Sequence, residues 1–150
     1  QPVVLVRLRG DRRQVLLLRT PQGADPHLHP SEDRDLYATA TGRLLLAHLD
    51  ARRRGQLIAR LGRPAARDWP GILTSRELES ELRRLRRDGL AEVHDARWHA
   101  VAVWTGCWDG EGSCLGTFAP PGRLDPGSAA RLRTAQQRLC VLAGTVPKAQ

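Results

Sequence analysis

The chain has 150 residues, 41% of them hydrophobic and 27% charged, and at this length roughly 68 to 70% of the unfolded surface can be buried, enough for one globular domain. Apolar runs such as Leu44 to Ala47 fall far short of the roughly 18 residues of a membrane span, which excludes a helical membrane protein. Basic side chains outnumber acidic ones by 24 to 16, net +8, but all of them except Lys148 are arginine, so the excess reads as coding bias as much as function.

No methionine occurs, and no basic segment followed by an apolar stretch and a small-residue cleavage site opens the chain, so the sequence reads as a fragment with something missing upstream. Cys107, Cys114 and Cys140 are too few and too irregular for a disulfide framework, and no Cys-x-x-Cys pair offers a zinc site. A reducing cytoplasm fits best.

Val3 to Arg9 and Gln14 to Arg19 are two β-rich runs around Gly10-Asp11, the pattern of a hairpin. Thr20 to Pro30 holds three prolines and reads as a surface loop or irregular edge. A first helix is expected from Ala38 to His48, capped by Thr39 or Thr41. A second begins at the capping box Thr74-Ser75-Arg76-Glu77, buries Leu78, Leu82 and Leu85, and ends at Gly89. Its glutamates lie near the positive N-terminus and its arginines near the negative C-terminus, which explains most of the Arg83 to Arg87 run without a partner. Leu90 to Val93, Ala100 to Trp108 and Ser113 to Phe118 read as strands, the last two joined by Asp109-Gly110-Glu111-Gly112. Asp125 caps a final helix with Pro126 at its first position and Leu132, Ala135, Leu139 and Leu142 on one face. The order predicts an α+β fold, an antiparallel sheet with helices packed on it.

Chemical motifs are absent. There is no Gly-x-Ser-x-Gly elbow, no His-Glu-x-x-His and no Gly-rich phosphate loop, so neither an enzymatic role nor a cofactor is expected. His27 and His29 alternate as metal ligands on a strand do, but Pro26 and Pro30 bracket them and they read as solvated loop residues. Arg52 to Arg54 and Arg83 to Arg87 read as solvated faces rather than phosphate contacts, and Trp69, Trp98, Trp104 and Trp108 as core or pocket wall. Cys107 and Cys114 face each other if the hairpin loop has four residues, and turn to opposite faces if the loop is odd or bulged.

The segment Leu36-Tyr37-Ala38-Thr39-Ala40-Thr41-Gly42-Arg43-Leu44-Leu45-Leu46-Ala47 resembles the signature of the IclR family of bacterial transcription regulators. Arg87-Asp88-Gly89-Leu90 and Leu115 to Leu124 match later family motifs in collinear order. The resemblance implies the family's C-terminal effector-binding domain, a GAF-like (profilin-like) fold, normally preceded by a winged helix-turn-helix that binds DNA and is missing here. It implies a cytoplasmic homo-oligomer, dimer or tetramer, with a small-molecule effector as partner and no membrane contact. The family's pocket carries over to Thr39, Ala40, Thr41 and Gly42, where free N–H groups and small hydroxyl side chains suit a carboxylate. On the opposite wall Ala102 stands at the ligand-facing cysteine position, Gly116 and Phe118 replace two serines, Glu92 or His94 is the nearest polar candidate, and Trp104 completes the candidate wall. Such a pocket is more apolar than usual, fit for a larger or aromatic acid, or else filled, leaving an assembly module. For Ala102, Gly116 and Phe118 to line one pocket the hairpin must be odd or bulged, which turns Cys107 and Cys114 to opposite faces.

Overall fold

Alternating side chains build the sheet first. The computed structural model describes residues 1–24, 32, 33, 35–108 and 111–142. In it β1 (Val3–Arg9) and β2 (Arg12–Thr20) form the expected hairpin, Arg9 pairing with Arg12 across Gly10 and Asp11. Val4, Val6 and Leu8 turn to one face of β1, Val3 and Leu5 to the other. Two-residue strands β3 (Gly23–Ala24) and β4 (Glu32–Asp33) pair with β2, while His27 and His29 lie outside the described residues. With β5 (Leu90–His94), β6 (His99–Trp108) and β7 (Glu111–Ala119), the described strands make one antiparallel sheet of order β3-β2-β1-β7-β6-β5, β4 lying beside β2.

Helices cover both faces. On one side α1 (Ala40–His48) lies across β5, β6, β7 and β1, and α3 (Ser75–Asp88) packs on α1 and β5. On the other, α4 (Ser128–Leu142) covers β6 and β7, burying Leu132 with Val101, Val103 and Leu115. In α3 the expected capping box is present: Glu77 N–H donates to Thr74 Oγ1 at 3.2 Å, and Thr74 N–H donates to Glu77 Oε2 at 2.8 Å. Leu78, Leu82 and Leu85 are fully buried, contributing about 1.5–3 kcal/mol each. Arg84 pairs with Glu81 and Asp88, so part of the arginine run is satisfied within its own helix.

Three expectations need correction. A helix absent from them, α2 (Ala51–Leu61), carries Arg52 to Arg54. Asp50 caps it by accepting from Arg53 N–H, and Gly62 N–H closes it on the Ile58 carbonyl. α4 is regular only from Ser128, because Asp125 Oδ1 accepts from Gly127 N–H and holds a separate turn ahead of it. The β6–β7 hairpin is bulged, as the pocket requires, since Trp104 pairs with Cys114 and Gly106 with Ser113, leaving Thr105 extra. The bulge lies before Cys107, however, so it does not separate the cysteines: Cys107 pairs with Gly112 on the same face as Cys114. Thr105 and Ser113 hydroxyls, 2.8 Å apart on the α4 side, pin the bulge.

Candidate functional site

The approach to α1 is shaped by small side chains. Thr39 is the cap: its Oγ1 accepts from Gly42 N–H at 3.1 Å and donates to the Asp35 carbonyl at 2.8 Å. Arg43 N–H reaches the Thr39 carbonyl at 3.0 Å, leaving Ala40 and Thr41 N–H groups at the helix start without an acceptor among the described residues. Thr41 is buried, and its Oγ1 accepts from the Arg13 guanidinium at 3.3 Å. A Cβ at Gly42 would stand 2.7 Å from the Asp35 carbonyl oxygen and Leu36 Cα, and one at Gly116 would stand 2.9 Å from Thr41 Cγ2. Gly116 therefore lets the start of α1 lie this close to the sheet, and Gly42 lets the chain from Asp35 to Thr39 fold tightly against the helix's first turn. Ala102, paired with Gly116 and wholly buried, serves the same close approach.

Beyond that contact the helix start and the sheet part, leaving a cavity of about 420 Å³. Val4, Val15, Leu18, Val93, Ala100 and Phe118 make it apolar, while Arg13, Asp35, Thr39 and Thr41 make one polar end, where Asp35 Oδ1 accepts from Ala38 N–H. Asp95, Arg97 and Trp98 come from the β5–β6 loop, and Trp98 meets the Phe118 ring edge-on at 5.3 Å. Asp95 Oδ1 accepts from Arg97 and Trp98 N–H, which shapes that loop and holds its carboxyl below the usual range.

Of the residues singled out in the sequence, Thr39, Ala40, Thr41, Gly116 and Phe118 line this cavity. Gly42 and Ala102 lie beside it as packing residues. Glu92 and His94 do not reach it: strand alternation sends Val93 to the cavity and its two neighbours to the opposite face. Trp104 is also elsewhere. It stacks on His48 with centroids 3.9 Å apart and lines a separate cavity of about 220 Å³ at the far end of α1.

Sequence reasoning missed Arg13, Asp95 and Arg97 as cavity residues, and Arg43 as a structural cation. Arg43 is buried and donates to the Tyr37 and Asp68 carbonyls at 2.7 and 2.9 Å, with its guanidinium 4.3 Å from the Trp69 ring centroid. Burial lowers its pKa to about 10, which still leaves it charged at neutral pH. The basic residue of the signature segment was the available signal for Arg43. None marked the others, which reach the cavity from β2 and from the β5–β6 loop.

No protein-family profile matches the sequence, and no curated protein matches it. Solved structures do. The inducer-binding domain of a PobR transcription factor double mutant from Acinetobacter, in complex with 3-hydroxybenzoic acid, is similar over 92% of this chain and 86% of its own (21% identity, TM-score 0.71). A protein assigned to the IclR transcriptional regulators from Silicibacter sp. TM1040 is similar over 97% of this chain (24% identity, TM-score 0.75). An IclR homolog from Microbacterium hydrocarbonoxydans, complexed with 4-hydroxybenzoate, is similar over 91% (21% identity, TM-score 0.69). This chain spans 61% and 57% of the length of the latter two. It has the α+β fold of IclR-type C-terminal domains.

Proposed function

We propose that this chain is the effector-binding domain of an IclR-type bacterial transcription regulator, and that it takes a small organic acid with an aromatic or apolar body in the cavity at Thr39 to Thr41. The cavity carries the reading. Its 420 Å³ lies within the roughly 300–1,000 Å³ of small-molecule sites, and it combines apolar walls with a few convergent polar groups. The carboxylate would face Thr41 Oγ1, the Arg13 guanidinium and the N–H groups of Ala40 and Thr41, where the helix dipole favours negative charge. The ring would lie between Val4, Val93 and Phe118. Two similar structures hold hydroxybenzoates, acids of this form. The alternative, an assembly module with a filled pocket, is disfavoured because Phe118 is only half-buried and stands against Trp98 at the cavity wall.

Such a domain acts by preferring, when occupied, one arrangement of subunits and so one spacing of DNA-reading heads carried on a preceding module. Differential affinity of about 1–3 kcal/mol between arrangements suffices. Calorimetric titration with benzoate, hydroxybenzoates and short aliphatic acids tests the site. One-site saturable binding of an aromatic acid is expected, weakened about tenfold or more in Arg13→Gln, since a hydrogen bond to a charged group contributes roughly 1.5–3 kcal/mol. Binding by none of the acids, or binding unchanged in Arg13→Gln, contradicts it.

A further inference from the structure

At the β5 edge, on the face turned away from α1, three metal-ligating side chains converge. His94 and His99 are direct partners across the β5–β6 pair, and Glu92 stands two residues before His94 on the same face. One carboxylate oxygen, Glu92 Oε1, accepts from Nε2 of both rings, at 3.0 Å from His94 and 2.5 Å from His99. The ring centroids are 3.7 Å apart. Glu92 and His94 are exposed and His99 is partly so, which leaves the trio open to an ion from solvent.

We propose that Glu92, His94 and His99 form a binding site for a divalent first-row transition ion, with zinc as the reference case. Two imidazoles and one carboxylate, with remaining positions open to water, are a recurring zinc donor set, whereas Mg²⁺ and Ca²⁺ favour oxygen donors alone. The three ligand atoms lie within 4.8 Å of one another. Zinc held at about 2.0–2.1 Å from nitrogen keeps tetrahedral ligand atoms about 3.3 Å apart, so small rotations of the exposed Glu92 and His94 side chains toward the partly covered His99 admit it. On binding, each neutral imidazole carries its proton on Nδ1, so that Nε2, which donates to the carboxylate without the ion, offers the ion a lone pair instead. The carboxylate offsets one of the two positive charges. The ion would cross-link the two strands at the base of the Asp95 to Trp98 loop, which forms part of the cavity wall.

Tag-free protein stripped of metal and titrated with zinc at neutral pH should take up one equivalent, and cobalt should bind without the thiolate charge-transfer absorption that Cys107 would produce. The double variant His94→Ala/His99→Ala, at positions on the sheet surface, should lose affinity by about tenfold or more with its circular dichroism unchanged. In the unaltered chain, zinc should move the imidazole resonances of His94 and His99 and leave those of His48 in place. Absence of zinc binding overturns the proposal, and so does equal binding by the double variant, which would assign the ion to other ligands.

Discussion

His48 is a histidine whose surroundings hold it in the neutral form. Its Nδ1 lies 3.0 Å from the Leu44 carbonyl, its ring stacks on Trp104, and burial, aided by the nearby positive charge of Arg86, lowers its pKa from 6.5 to about 4. The unfolded chain therefore binds a proton at this site that the folded chain refuses. Stability attributable to His48 is full above pH 6.5, falls as pH drops from 6.5 toward 4, and changes no further below that. The loss amounts to about 3–4 kcal/mol at most. Urea unfolding at pH 7.5, 5.5 and 4.5 should show the fall, and His48→Gln, which cannot titrate, should show a smaller one. Equal slopes for the two proteins would place the pH sensitivity elsewhere.

At the scale of elements, α1 is joined to the connection after α2 through one cation. Arg43 reaches the carbonyls of Tyr37 and Asp68 and covers Trp69, while Tyr37 Oη donates to the Gly62 carbonyl at 2.7 Å. Arg43→Met keeps the stem but removes both donors and the cation–π contact, so it should cost about 2–4 kcal/mol, read as a lower urea midpoint with unchanged m-value. An effect below about 0.5 kcal/mol would show that the connection is held by other contacts. Elements legible in the sequence are those whose own residues bury a face: α3 through Leu78, Leu82 and Leu85, and the β1–β2 hairpin through its alternation. α2 was illegible because only Leu57 of its eleven residues is buried, and Gly55 interrupts an arginine-rich stretch. An odd or bulged hairpin followed from requiring Ala102, Gly116 and Phe118 to share a face, but that the irregularity is a bulge at Thr105, ahead of Cys107, depended on Ser113 pairing across the sheet. The cavity was legible at its helix end, where Thr39 to Thr41 are adjacent. On its other wall Gly116 and Phe118 came from the family resemblance, whereas Arg13, Asp95 and Arg97 reach it from β2 and the β5–β6 loop, a proximity the chain order does not encode.

Across the whole molecule, the cavity draws its walls from β1, β2, the entry to α1, β5, the β5–β6 loop, β6 and β7, from Val4 to Phe118. No single hairpin or helix retains the site once it separates from the rest. An acid bound there therefore has affinity for the native state alone, and it stabilises the fold as one unit in a chain of a size that commonly unfolds in one step. At 100 times its dissociation constant the ligand adds about 2.7 kcal/mol. For about 150 residues, that corresponds to a rise of about 5–10 °C in Tm. Scanning calorimetry should show one transition moving up with ligand concentration in the unaltered protein, and a smaller shift at the same concentration in Arg13→Gln. An acid that binds by titration but leaves Tm unchanged would be bound as well by the unfolded chain, and the cavity would not be its site.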